Sequence, residues 1–238
     1  MWLFLLCFLS CRGFYYEDEQ LAEIEFTPCV SQYNLGVSKA SNSSALLLVM
    51  QDGVIRGHGS ANYFYSGKHK FFITAAHNLL HGNDFIIQEN GGNQVKAHPV
   101  YVELGSDFAI VVADGEITQT TPVHLSINRK KDLVATDVYY MGSPGQLRFA
   151  MLQGFVMWSN ADVVIMQSFG WFGASGSVVF DKGGRVVGIL QGVYVDQHGL
   201  FEDVIEDVVY VQRVDFLSRK KLREIFNSAA EVRSGNAD

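Results

Sequence analysis

From Ala45 onward the chain is a succession of short apolar runs, four to ten residues long, cut at close intervals by turns carrying glycine. Ala45–Met50 is followed by Gln51-Asp52-Gly53. Ser60–Tyr65 and Lys70–Thr74 are split by Ser66-Gly67. The series continues through Phe85–Gln88, Val95–Val102, Phe108–Val112, Val138–Met141, Phe149–Trp158, Val163–Ser168, Ser177–Phe180, Val186–Gln191 and Val208–Gln212. Runs of this length, rich in Val, Ile, Phe and Tyr, are strands, and so many of them without intervening helical patterns exclude a parallel α/β sheet. The pattern predicts an all-β sandwich or barrel. With 23 glycines against 4 prolines in 238 residues, the connections are turns rather than stiff linkers.

Two flanks differ from this body. In Asp215–Ala230, Phe216, Leu217, Leu222, Ile225 and Phe226 share one broad face at helical spacing, with Asp215 as the expected cap. Residues 14–44 are mixed and partly acidic and read as a poorly structured lead-in or pro-segment. Before them, Met1–Leu9 is too short to span a bilayer, which takes about 20 apolar residues. It reads equally as the centre of a secretory signal, with Ser10 or Gly13 near a cleavage point, or as a short buried or membrane-touching segment. No Lys or Arg precedes it. Secretion or export is the expectation on the first reading.

The three cysteines, Cys7, Cys11 and Cys29, all precede the strand-rich body. No disulfide can therefore staple that body and no cysteine cluster there can hold zinc, so its stability must come from the apolar core. A net charge of -7 argues against non-specific nucleic-acid binding. The basic runs Arg129-Lys130-Lys131 and Arg219-Lys220-Lys221-Leu222-Arg223 read as a solvated turn and a solvated helix face.

Three segments carry chemistry. Gly173-Ala174-Ser175-Gly176-Ser177 sets a serine between glycines, where a tight turn can present its hydroxyl and aim the N–H groups of Gly173 and Ser175 at one point, as an oxyanion requires. Phe71-Phe72-Ile73-Thr74-Ala75-Ala76-His77 runs a bulky strand into small residues and ends on an imidazole suited to carrying a proton near neutral pH. Gly105-Ser106-Asp107-Phe108-Ala109-Ile110 places a carboxylate at the mouth of an apolar strand, where it can orient a histidine. Alone, the first reads more simply as a glycine-rich turn, the second as one of seven structural histidines, and the third as a turn acid. Asp84 is a competitor for Asp107, but it follows His77 by only seven residues, a short span for the chain to return to the ring.

Together, Thr-Ala-Ala-His at 74–77, Asp-Phe-Ala-Ile at 107–110 and Gly-Ala-Ser-Gly-Ser at 173–177 resemble the motifs of the trypsin-like serine peptidases, in that family's order along the chain. Gly57-His58-Gly59-Ser60, Gly142-Ser143-Pro144-Gly145 and Gly188-Ile189-Leu190-Gln191-Gly192 are looser matches. The resemblance spans residues 45–226 and is nearest to the disulfide-free glutamyl-endopeptidase branch and to viral or phage relatives.

The resemblance implies two six-stranded antiparallel β-barrels (45–128 and 129–213) and a C-terminal helix (214–230), following an apolar segment (1–13) and the lead-in (14–44). It implies a His77–Asp107–Ser175 triad, an oxyanion hole from Gly173 and Ser175, a protein or peptide substrate, and no metal or organic cofactor. For the primary pocket it points to Phe169, six residues before the serine, together with Leu190, Gln191 and His198. A neutral Phe169 floor implies cleavage after an uncharged residue, with His198 the one group able to favour an acidic side chain. Ala174 stands where trypsin has an aspartate, so activation by a new N-terminal ammonium is not expected. Two other readings stay open: a silent protease fold used as a binding module, and a protease that processes a viral or phage polyprotein.

Overall fold

The computed structural model describes residues 34–235 apart from 81, 146, 199 and 200, so the apolar N-terminal segment and most of the lead-in lie outside the described residues. Among the described residues, twelve of thirteen strands form two closed antiparallel barrels. The first comprises β1 (Ser44–Gln51), β2 (Val54–Ser66), β3 (His69–Thr74), β4 (Asp84–Gln88), β5 (Gln94–Glu103) and β6 (Phe108–Ala113), closed in the order β1-β4-β5-β6-β3-β2. A two-residue strand, β7 (Val123–His124), adds in parallel to β2. The second comprises β8 (Asp137–Gly142), β9 (Ala150–Ser159), β10 (Val163–Gln167), β11 (Val178–Asp181), β12 (Val186–His198) and β13 (Phe201–Gln212), closed in the order β10-β13-β12-β11-β8-β9. Closure removes the free edges that a flat sheet of these apolar strands would expose.

Several central strands are apolar on both faces because both faces are covered. In β3, Phe72 points into the first barrel, while Phe71 and Ile73 point into the seam between barrels. In β6, Ala109 and Val111 fill the barrel while Phe108 and Ile110 face the seam. The second barrel repeats the rule: Val179 and Val187 turn inward, Val178, Phe180 and Ile189 outward to the seam. Period-two alternation thus distributes one run of residues over two cores. Each fully buried Phe or Ile contributes about 1.5–3 kcal/mol, which suits a body without disulfides.

The chain ends cross over. A helix, α1 (Leu35–Ser43), precedes the first barrel yet packs against β8 and β11 of the second. Its backbone comes so close that a Cβ on Gly36 would lie 2.3 Å from the Asp181 carbonyl oxygen. Lys39 fixes the contact by donating to the carbonyls of Gly184 (2.8 Å) and His124 (3.3 Å). The C-terminal helix, α2 (Arg219–Gly235), follows the second barrel and packs against the first, where Phe226 stacks on His69 and meets Phe71.

Three expectations are corrected. Residues 35–43, read as part of a poorly structured lead-in or pro-segment, are helical. The cap of α2 is Ser218, whose hydroxyl accepts from Lys221 N–H at 3.0 Å. Asp215 is instead paired with the buried Arg213 at 2.6 Å. Nor is Arg129 simply solvated, because its guanidinium donates to the carbonyls of Asp215 and Leu217 and ties down the approach to α2.

Candidate active site

β3 delivers His77 through Thr74-Ala75-Ala76 into a one-turn 3-10 helix, Ala76–Leu79. Ala75 and Ala76 are fully buried, and larger side chains there would push the turn away from β6. The strand pairing β3–β6 brings Asp107 beside it: Ala76 N–H donates to the Asp107 carbonyl at 3.2 Å. Asp107 holds a left-handed φ of 46°, a conformation Asp tolerates better than most residues. That backbone aims its carboxylate at His77 twice. Oδ1 accepts the His77 backbone N–H at 2.8 Å and Oδ2 lies 2.7 Å from Nδ1. With Nδ1 donating, Nε2 is left as the lone-pair nitrogen facing the cleft. Asp84 is exposed at the start of β4 and makes no such contact.

Ser175 arrives from the second barrel on the turn before β11. Gly173 and Gly176 hold φ of 94° and 92°. The turn is bonded within itself by Ala174 N–H to Trp171 O and Ser177 N–H to Ala174 O, each 3.0 Å, while Gly176 N–H reaches Leu190 O at 2.8 Å. Among the described residues no protein acceptor takes the N–H of Gly173 or Ser175. The Ser175 hydroxyl donates to the carbonyl of Gln191 at 2.9 Å rather than to His77.

The first barrel grips this turn at several points. The Ser175 carbonyl accepts from Ser60 N–H (2.8 Å) and Asn78 Nδ2 (2.9 Å). Ser60 Oγ donates to Gly173 O at 2.8 Å, and Asn62 Oδ1 accepts Val178 N–H at 2.8 Å. A side chain at either glycine would force its neighbours to shift, because a Cβ on Gly173 would lie 2.5 Å from Ser143 O and one on Gly176 2.1 Å from Ser60 O. Ser60, Asn62 and Asn78 were not expected as site-builders. The available signal was Asn62 itself, an amide inside the apolar run Ala61–Phe64 and fully buried, where a polar group needs a partner.

The expected pocket residues separate. Phe169 is partly exposed, and its carbonyl accepts the buried Tyr140 hydroxyl. Gln191 reaches across the cleft, its Nε2 3.4 Å from Ser106 O, beside Asp107. Leu190 departs from expectation: it is 1% exposed and packs inside the second barrel with Ala174, because β12 turns alternate residues inward. His198 lies at the tip of the β12–β13 ribbon, paired with Phe201 and seven residues beyond Gln191.

Comparison with known proteins bears on the family and the fold. A model of the trypsin-like peptidase domain matches residues 59–189, more than half the chain and inclusive of His77, Asp107 and Ser175. The chain belongs to the trypsin-like peptidase family and to its enzyme class, the serine endopeptidases. Among solved structures it is similar to the serine endoprotease of Yersinia pestis (TM-score 0.64, 19% identity, 82% of this chain and 66% of that one). It is similar also to a protease from M. tuberculosis in its active form (0.62, 16%, 78% and 82%). The HtrA-type protease AlgW, solved with a tripeptide, is a third (0.61, 17%, 76% and 60%). At these identities the likeness is one of fold, and the chain spans 66% and 60% of the length of the first and third. No curated protein matches the sequence.

Proposed function

We propose that this chain hydrolyses peptide bonds through an acyl-enzyme, with Ser175 as nucleophile, His77 as general base and acid, and Asp107 as the group that orients and stabilises the imidazolium. The observation that carries the reading is the pair of hydrogen bonds between Asp107 and His77, one to the backbone N–H and one at Nδ1, because it holds the ring in place and favours the tautomer with the proton on Nδ1. Ser175 Oγ attacks the carbonyl carbon as His77 Nε2 takes its proton. The oxyanion forms between the amides of Gly173 and Ser175. The proton passes from Nε2 to the departing amine, and water activated by the same nitrogen releases the acyl group.

The residue before the scissile bond is uncharged in this reading. Phe169 offers a Lys or Arg side chain no counter-charge, so it would be desolvated without a partner, and Gln191 supplies an amide for a hydrogen-bonding side chain. His198 is the candidate ligand for an acidic side chain. The substrate is a protein or peptide, and no step calls for a metal or organic cofactor.

The deciding experiment is labelling with a fluorophosphonate, which phosphonylates an activated serine with loss of fluoride, alongside a peptide-library digest. Labelling at Ser175, lost in Ser175→Ala, together with cleavage by the parent chain is the expected result. A folded parent chain that neither labels nor cleaves would instead favour a silent binding module.

A further inference from the structure

At the end of the first barrel remote from the cleft, a cavity of about 420 Å³ opens between the β2–β3 turn, β7 and the first turns of α2. Its walls include Lys68 and His69 from the turn, His124 from β7, and Arg219 and Arg223 from α2. No Asp or Glu lines it, although the chain carries 25 acidic residues against 18 basic ones. Among the described residues, the exposed side chains of Lys68, Arg219 and Arg223 make no hydrogen bond or ion pair. Arg219 and Arg223 stand four residues apart, one above the other on the same helix face. Arg219 also begins α2, so the positive end of the helix adds to the field.

Like charges brought together without a partner repel one another, and the surrounding fold does not neutralise them. We propose that the cavity is a binding site for a phosphate-type anion, gripped by Lys68, Arg219 and Arg223 and walled by His69 and His124. Guanidinium groups match the tetrahedral oxyanion with paired N–H donors and an ammonium supplies a point charge. Three full cations suit a group carrying two or more negative charges better than a lone carboxylate. The volume leaves room for an organic portion beyond the phosphate. His69 lies flat on Phe226 with ring centroids 4.4 Å apart. Burial first and Lys68 second hold its pKa below the ordinary histidine value, so a bound anion has an imidazole at hand to protonate. The site is distinct from the cleft: β3 runs from His69 to Thr74, about 17 Å at 3.3 Å per residue, before it reaches His77.

The test is calorimetric titration of the whole chain with sodium pyrophosphate, with sedimentation of phosphatidylcholine vesicles containing phosphatidic acid as the second arm. Saturable pyrophosphate binding is expected, weakened about tenfold or more by Arg219→Gln and by Lys68→Gln, the scale of one charge-assisted hydrogen bond. Lys182→Gln, on the β11–β12 turn, should leave it unchanged. Saturation should also move the His69 imidazole titration upward, and peptide hydrolysis by Arg219→Gln should match the parent, which shows that the variant is folded. Vesicle binding lost in the same two variants, without pyrophosphate binding, would place the phosphate on a lipid headgroup. No saturable binding in either arm, or binding within about twofold of the parent in both variants, overturns the proposal.

Discussion

The hydroxyl of Ser175 and the carbonyl of Gln191 are joined at 2.9 Å, so the serine hydroxyl hydrogen is directed to β12 of the second barrel rather than to His77. In the proposed mechanism the Ser175 side chain leaves this bond for His77 by rotation about χ1, which would free Gln191 O to accept an N–H of the substrate. A structure with a peptidyl boronic acid should therefore show a covalent adduct on Ser175 Oγ, with one boronate oxygen between the amides of Gly173 and Ser175. An adduct on another residue would remove Ser175 from the reaction.

Asp107 and Asp84 give a matched pair of tests. Asp107→Asn keeps a side chain that tolerates the φ of 46° but presents the wrong hydrogen-bonding partner to Nδ1. Its kcat should fall about ten-thousandfold, because the ring would be held in the wrong tautomer, while the thermal midpoint moves little. Asp84→Asn should leave kcat unchanged. The reverse outcome would transfer the acid's role to Asp84.

Gly173→Ala tests the oxyanion site apart from the triad. The new Cβ would meet Ser143 O at 2.5 Å and His58 Nε2 at 2.4 Å, in a backbone conformation that alanine resists at a φ of 94°. Displacing one amide donor should lower kcat by about 10²–10³ with little change in KM. Full kcat in a folded Gly173→Ala protein would mean that this amide does not face the oxyanion.

The acid limb of stability should depend on Glu89. This carboxylate is fully buried and accepts from Asn93 Nδ2 and from the N–H groups of Thr118, Gln119 and Thr120. Burial alone would raise its pKa, but the donated bonds overcome it and hold the value below the ordinary glutamate range. A pKa lower in the folded than in the unfolded chain contributes stability above the unfolded value, about 4.3, and that contribution is lost as pH falls through the folded value. Glu89→Gln should cost about 1–3 kcal/mol at neutral pH, since it turns an amide NH2 toward donors, and should flatten the pH dependence of denaturant midpoints below about pH 5. An unaltered acid profile would show that other carboxylates govern it.

Activation should not require a new N-terminus. Ala174 is fully buried in the second barrel's core and offers no carboxylate to an incoming ammonium. A chain starting at Asn34 and one starting with an extra glycine before it should therefore share one kcat/KM. A strict requirement for one particular first residue would contradict this.

What the sequence revealed follows from where chemistry is local. The barrels were legible because β-branched and aromatic runs such as Phe71–Thr74 and Phe108–Val112 leave few alternatives to a strand. His77, Asp107 and Ser175 stood out because each sits among small residues that a close turn requires. The helix α1 was not legible: Leu35–Ser43 contains glycine, valine and three serines, and buries only Gly36, Ala40 and Ser43. Its small residues serve close contact with Asp181 and Tyr139, a relationship invisible along the chain. The same holds for Leu190 and Gln191. Adjacent in sequence, they go to opposite destinations, one to the barrel core and one to the cleft, and only the register of β12 decides which. The basic run in α2 likewise means little until the β2–β3 turn brings Lys68 and His69 against it.

The crossed termini have a thermodynamic consequence. With α1 seated on the second barrel and α2 on the first, each half of the chain is completed by a piece belonging to the other, much as two books are locked by interleaving their covers. Neither half can melt without stripping apolar surface from its neighbour, so the two are coupled into a single cooperative unit. For a chain proposed to cleave peptides, such coupling would limit the half-melted species whose loose strands an active copy could cut.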